Sequence, residues 1–176
     1  MTTGLFVGRF QPFHKGHLET VKFALKSVDT LVIVVGSAQK SHEMRNPFTA
    51  GERIMMIKAS IDAEKGVDAG RVLIVPVPDV DVHALWTRQV DMLAPKYEVV
   101  FANDPFTLML FRERKVRTVE PPLQERSRLM ATEVRRRMAE GGDWQELVPA
   151  PVARAVKEIG GVQRVKAVAQ REHMRH

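Results

Sequence analysis

The feature that most constrains this chain is Leu31-Val32-Ile33-Val34-Val35, five apolar residues in a row, stopped by Gly36. A strand with one face in water alternates apolar and polar residues. One that is apolar on both faces is covered on both, as the central strands of parallel sheets are. Shorter runs of the same kind recur at Gly4–Val7, Val72–Val75, Val99–Ala102 and Val116–Val119. Between them lie helical periods. His17–Val28 carries Leu18, Val21, Leu25 and Val28, and Thr49–Ala63 carries Ile54, Ile57 and Ile61 behind a Thr49/Glu52 capping box. Ala84–Leu93, Pro105–Arg112 and Thr132–Glu140 read as further helices, and Pro151–Arg171 as two short ones around Gly160-Gly161.

This alternation predicts right-handed βαβ units. The expected fold is α/β, a Rossmann-like parallel five-stranded sheet with C-terminal helices. The 176 residues show no repeat and no linker, so one domain is expected over 1–176, with residues from about 144 to 176 as a helical cap. Ligands of such sheets bind beyond the carboxyl ends of the strands, at the switch in strand order. The loops after the first and fourth strands are the first places to look.

Several chemistries are excluded. Cysteine is absent, which removes disulfides, thiolate zinc sites and cysteine nucleophiles. There is no G-x-G-x-x-G after the first strand, no Walker A loop, no G-x-S-x-G elbow and no H-E-x-x-H. The longest apolar run is far short of the roughly 20 residues a bilayer demands, and Met1–Gly4 lacks a basic leader. A cytoplasmic protein without membrane contact is expected. The net charge of +6 suits nucleic acid, an acidic membrane surface or a phosphorylated small molecule.

The first strand runs into Gly8-Arg9-Phe10-Gln11-Pro12-Phe13-His14-Lys15-Gly16-His17. Gly8 allows a tight turn. His14 and His17 stand at a helix entrance with Gly16 between them, which permits close backbone approach. A helix N-terminus carries free N–H groups and partial positive charge, both suited to phosphate, and Arg9 and Lys15 add fixed charge. Two readings stand here: a phosphate-binding pair, or ordinary surface or metal-binding histidines. A second basic group begins another helix at Thr132-Glu133-Val134-Arg135-Arg136-Arg137, after a loop with Arg126 and Arg128. Arg136 and Arg137 read as a solvated face.

These two segments resemble the signatures of the HxGH nucleotidyltransferase superfamily, the second being Met130-Ala131-Thr132-Glu133-Val134-Arg135. Gly36-Ser37-Ala38-Gln39-Lys40-Ser41-His42, Arg45-Asn46-Pro47-Phe48-Thr49-Ala50-Gly51-Glu52-Arg53 and Asp79 before Ala84-Leu85-Trp86 narrow it to the archaeal-type nicotinamide-nucleotide adenylyltransferases. The resemblance implies in-line attack of nicotinamide mononucleotide on the α-phosphorus of ATP, giving NAD and pyrophosphate. His14, His17, Arg9, Arg45 and Arg135 would then be catalytic, with His17 on the α-phosphate and His14 nearer the leaving group. Gly8, Phe10, Gln11, Gly16, Thr132 and Arg135 would bind ATP, Thr132 and Arg135 at its β- and γ-phosphates. Trp86, Ser37, Gln39, Asp79 and His83 would bind the mononucleotide, Trp86 stacking on the nicotinamide. Whether Arg9 or Arg45 meets the mononucleotide phosphate stays open. Mg²⁺ would come with ATP and need no protein metal ligands. A homo-oligomer, often a hexamer, is implied.

Three positions depart from the family pattern. Met130 replaces a capping Ser, leaving Thr132 as the substitute cap. His83 replaces Asn, and Asp104 replaces a neutral Asn near the expected phosphate site. Two other functions stay in view: an adenylyltransferase for another phosphate acceptor such as phosphopantetheine or FMN, and a basic RNA-binding protein. Against the latter, there is one Tyr and no basic–aromatic interleaving; no nucleic acid partner is expected. The terminal Arg171–His176 reads as a frayed tail. The charge itself is uneven: +4 over residues 1–60, −2 over 61–120 and +4 over 121–176. The excess falls in the stretches that hold the two signatures.

Overall fold

The computed structural model describes residues 1–123, 125 and 128–176; Arg126, named above, lies outside them. Five strands form one parallel sheet: β1 (Thr3–Gly8), β2 (Thr30–Val35), β3 (Val72–Pro76), β4 (Val99–Phe101) and β5 (Arg117–Val119), in the order β3-β2-β1-β4-β5. The order reverses between β1 and β4, so the loops after these two strands part there, as the alternation predicted. Among the described residues seven α-helices flank the sheet: α1 (Lys15–Leu25), α2 (Ala50–Ala63), α3 (His83–Leu93), α4 (Pro105–Glu113), α5 (Ala131–Glu140), α6 (Ala150–Glu158) and α7 (Gly161–His173).

Strand alternation divides the core into two layers. Phe6, Leu31, Ile33, Val35 and Phe101 pack on one face with Val21, Ile57, Val134, Val152 and Val165. Leu5, Val7, Val32, Val34 and Val100 pack on the other with Val90, Leu108 and Phe111. The run Leu31–Val35 is wholly buried, because each of its side chains belongs to one of these layers. Residues of α5, α6 and α7 join the first layer, α6 lying against α2 and α7 against α5.

Three boundaries differ from expectation for local reasons. Helix α1 starts two residues earlier than the apolar period indicated, because His14 caps it. It ends at Leu25, where Ser27 and Val28 turn back onto the Ala24 carbonyl. Thr132 is not the cap of α5: Met130 holds that position, extended (φ −128°, ψ 141°) and with no side-chain cap bond. The C-terminal residues are less frayed than their composition indicated. Helix α7 runs to His173, and the Glu172 carboxylate accepts from the Met44 backbone N–H at 3.1 Å.

Candidate active site

The first signature builds a closed helix end. The His14 backbone N–H donates to Nδ1 of His17 at 3.1 Å, and the His17 N–H donates to Nδ1 of His14 at 3.3 Å. This is a capping box made of two imidazoles. The rings stack, 3.5 Å between centroids. Burial first, and Arg135 second, push His14 down to about 3. Burial first, and His14 second, hold His17 well below the ordinary range. Both rings are therefore neutral at pH 7. Each uses Nδ1 as an acceptor, so each must carry its proton on Nε2. The pair thus offers two uncharged N–H donors in a fixed orientation.

Gly16 has a purpose beyond the one its position suggested. A Cβ there would lie 2.9 Å from Cε1 of His14 and 3.0 Å from its Nδ1. The glycine makes room for the stacked imidazoles, not only for a ligand. Gly8 is similar: a Cβ would meet the Phe10 ring at 2.9 Å. Phe10 itself takes φ +55° and buries its ring against Phe6 and Phe13. Gln11 is also turned inward, its amide donating to the Phe48 carbonyl and accepting from the Phe48 N–H. The side chains of Phe10 and Gln11 are taken up by these contacts, and the Gln11 carbonyl is engaged as well, by Arg135.

The second signature meets the first through Arg135. Its guanidinium is buried and donates to the Gln11 carbonyl at 2.8 Å and to the Thr132 hydroxyl at 3.4 Å. Burial, then Arg9 and Arg45, push it down to about 10. It still carries its charge at pH 7, with no carboxylate partner among the described residues. Arg9 likewise is lowered by burial and then by Arg45. The three guanidiniums thus crowd one another, Asp79 and Asp104 offset the charge only at Arg9, and an anionic ligand would relieve the rest. Arg136 and Arg137 are instead neutralised by Glu133, Glu140 and Glu146.

Two cavities of about 730 Å³ each open here. The first lies over the strand ends and is lined by Gly8, Arg9, Arg45 and, on its far side, Trp86 and His83. Ser37, Gln39 and Asp79 meet in it: the Asp79 carboxylate accepts from Ser37 Oγ at 3.0 Å and Gln39 Nε2 at 3.3 Å. Trp86 is half-buried, its ring at a near right angle to Phe111 with 6.2 Å between centroids, and it lines the cavity. The second cavity is lined by Thr132, Arg135, Arg45 and residues of α7. Arg45 lines both. His14 and His17 line neither. Asp104, unexpected from its charge, caps α4 by accepting from the Thr107 N–H and hydroxyl.

One residue of this region has a role that its place in the sequence did not announce. Arg53 is fully buried and donates to the carbonyls of Arg9 (2.7 Å), Gly36 (2.8 Å), Ser37 (3.1 Å) and Thr49 (3.3 Å). It ties the loops after β1 and β2 to the start of α2. The signal was its spacing. Arg53 stands four residues before Ile57 and eight before Ile61, on the apolar stripe.

The chain is similar to known proteins over nearly its full length. The family described as cytidylyltransferase-like matches residues 5–137. Nicotinamide-nucleotide adenylyltransferases of Pyrococcus furiosus and Halobacterium salinarum are 45% identical, over 96% and 100% of this chain and 90% and 97% of theirs. That of Saccharolobus solfataricus is 44% identical over 96% of this chain and 97% of its own. Among solved structures, a bifunctional NMN adenylyltransferase/ADP ribose pyrophosphatase of Francisella tularensis, complexed with AMP and a manganese ion, superposes with a TM-score of 0.76 at 22% identity. The match covers 94% of this chain and 52% of that one. A nicotinic acid mononucleotide adenylyltransferase of Plasmodium falciparum has a TM-score of 0.64 at 9% identity, over 92% of this chain and 97% of its own. These two likenesses bear on the fold. The family match and the identities together make the chain a nucleotidyltransferase of the cytidylyltransferase-like family, in its nicotinamide-nucleotide adenylyltransferase branch.

Proposed function

We propose that the chain transfers the adenylyl group of ATP to nicotinamide mononucleotide, giving NAD and pyrophosphate. The observation that carries this is the meeting of Arg9, Arg45 and Arg135, unpaired with carboxylates among the described residues, beside an imidazole-capped helix at the switch in strand order. A mononucleotide phosphate oxygen attacks the α-phosphorus of ATP. The bond from that phosphorus to the bridging oxygen of the β-phosphate breaks, and pyrophosphate leaves with the electron pair. Such a step needs positioning and charge neutralisation more than a protein nucleophile.

His17 donates Nε2–H to the α-phosphate, where negative charge grows, and His14 donates nearer the leaving group. Being neutral and locked at Nδ1, they act as oriented dipoles that need no rearrangement during reaction. Arg135, Thr132 and the start of α5 hold the β- and γ-phosphates. Gly8 and Gly16 allow the ATP backbone contacts, and Arg9 and Arg45 grip phosphates as forks. Trp86, lining the cavity, stacks on the cationic nicotinamide ring, beside Ser37, Gln39, Asp79 and His83. The indole favours a pyridine nucleotide over phosphopantetheine as acceptor.

A divalent cation, Mg²⁺ in our reading, comes with the triphosphate and neutralises its oxygens. The donor set suits this: among the described residues no three His, Cys, Asp or Glu side chains are grouped to hold a metal, and Asp79 and Asp104 are already engaged. We read residues 1–176 as one unit, with α6 and α7 as its cap, acting in the cytoplasm as a homo-oligomer. Among the described residues no helix is long and apolar enough to cross a membrane. Val82, Leu85, Phe106 and Met109, all exposed on α3 and α4 or just before, supply an apolar surface for a second copy. The test is incubation with ATP, Mg²⁺ and nicotinamide mononucleotide. NAD and pyrophosphate should appear in equal amounts; activity on another phosphate ester alone would overturn the assignment.

A further inference from the structure

Arg45 stands in a turn outside the sheet and its helices. Residues 42–47 close on themselves with three backbone bonds. The His42 N–H donates to the Pro47 carbonyl at 3.3 Å, the Glu43 N–H to the Asn46 carbonyl at 3.2 Å, and the Asn46 N–H to the Glu43 carbonyl at 3.1 Å. His42, Glu43 and Arg45 are exposed, so water competes for much of this turn. His42 also takes φ +58°, a left-handed conformation unfavourable for a residue with a side chain. A turn of this kind does not by itself fix a long guanidinium side chain against a phosphate.

Helix α7 supplies the missing support. Arg164 grips the Glu52 carboxylate at 2.7 and 2.9 Å and donates to the Pro47 carbonyl at 3.1 Å. Glu52 also accepts from the Thr49 N–H at 2.9 Å, in the cap of α2. One guanidinium thus braces both the base of the turn and the start of α2. The Arg164 and Glu52 side chains are only 18% and 20% exposed, so their pair is screened less than one on the surface. Further along α7, the Glu172 carboxylate accepts from the N–H of Met44, the residue before Arg45. Gly161 lets the helix sit close: a Cβ there would lie 3.0 Å from the Phe48 ring, just past the turn.

We infer that Arg164 and Glu172 are positioning residues: by clamping the turn on both sides of Arg45, α7 holds that guanidinium where the two cavities meet. The inference rests on the adenylyl-transfer reading, in which Arg45 grips phosphate. Neither Arg164 nor Glu172 lines either cavity, so their influence passes through the turn. A phosphate contact held in place beforehand needs no ordering during the reaction. The C-terminal helix therefore has a part in the chemistry besides covering the sheet.

The experiment uses the full chain with Arg164→Met, Arg164→Lys, Glu172→Ala and Arg45→Ala, and Arg164→Met combined with Arg45→Ala. Steady-state kinetics with ATP, Mg²⁺ and nicotinamide mononucleotide are run where circular dichroism shows the variants folded. Calorimetric titration with each nucleotide is added. Arg164→Met should lower kcat/KM about tenfold or more, as misplacing a phosphate contact does, and Arg164→Lys should recover part of the loss. In the Arg45→Ala background the same change should cost under about twofold, because the residue it positions is gone. The nucleotide whose affinity falls in Arg45→Ala should be the one whose affinity falls in Arg164→Met. Glu172 is exposed, so Glu172→Ala leaves the core intact and serves if Arg164→Met does not fold. It should move kcat/KM in the same direction by about threefold, the order of one lost hydrogen bond. Additive losses in the double variant, or unchanged kcat/KM in the folded single variants of α7, would overturn the inference. Failure of the adenylyl-transfer reading looks different: the unaltered chain makes no NAD, while the affinity loss shared by Arg45→Ala and Arg164→Met persists.

Discussion

Two helices point their N-termini at the same region, and they end in opposite ways. Helix α1 is closed: His14 and His17 satisfy each other's backbone N–H groups, and the glycine between them leaves room for the stacked rings. Helix α5 is open: Met130 cannot accept a hydrogen bond in the way a capping Ser would, so its first N–H groups have no side-chain partner. The closed end fixes two donors in space. The open end leaves its own donors and its partial positive charge for a ligand. In the proposed reaction one helix start is a rigid tool and the other a receptor; Arg135, bonded to the Gln11 carbonyl, links them.

The largest expected effect would come from removing the frame that ties the loops after β1 and β2 to α2. Arg53→Met takes away four donors from buried or half-buried carbonyls. It should cost about 3–5 kcal/mol, the range for breaking a buried polar network. A denaturant midpoint shift corresponding to under 1 kcal/mol would mean that the loops are held by something else. Next is the tool itself. His17→Ala should lower kcat by about two orders of magnitude or more, as loss of a transition-state donor can. A change confined to KM would take it away from the reacting phosphate.

The closed end also predicts a pH response. His14 and His17 have folded pKa values below the ordinary 6.5, about 3 for His14. The unfolded chain therefore binds more protons in acid, and stability falls as pH drops from about 6.5 towards 3. Urea midpoints across this range should fall less steeply in His14→Gln; an unaltered slope would mean that the imidazoles are not held neutral. Trp86→Ala leaves both helix starts intact and tests the cavity between them and α3. It should weaken mononucleotide binding about tenfold, the order of a lost cation–π contact, with ATP binding unaffected.

The smallest effect sharpens the contrast most directly. Met130→Ser gives α5 the cap it lacks and should raise stability by about 1 kcal/mol. If the open end receives phosphate, the added stability should come with equal or weaker ATP binding. No gain in thermal unfolding would show that Glu133 and its arginines already close that helix start.

Much of this was legible in the residues. The two layers follow from which side chains alternate along β1 and β2, and the switch point follows from strand–helix alternation. The Thr49/Glu52 box is visible in its spacing and present in the fold. Gln11, Arg53 and Thr132 show where legibility stops. Nothing in a G-R-F-Q-P segment says that the glutamine amide turns inward to a backbone 37 residues away. Nothing local says that a charged residue on an apolar stripe is matched by four carbonyls.

The order of strands and helices, the buried central strand, the two phosphate signatures and the family were determined by the sequence alone. Each rests on local periodicity or on short runs whose chemistry does not depend on distant neighbours. The tautomers of the two histidines, the inward turn of Gln11 and the burial of Arg53 and Arg135 were decided by the tertiary structure. All are matters of which partner a polar group finds once water is removed, and only folding selects those partners.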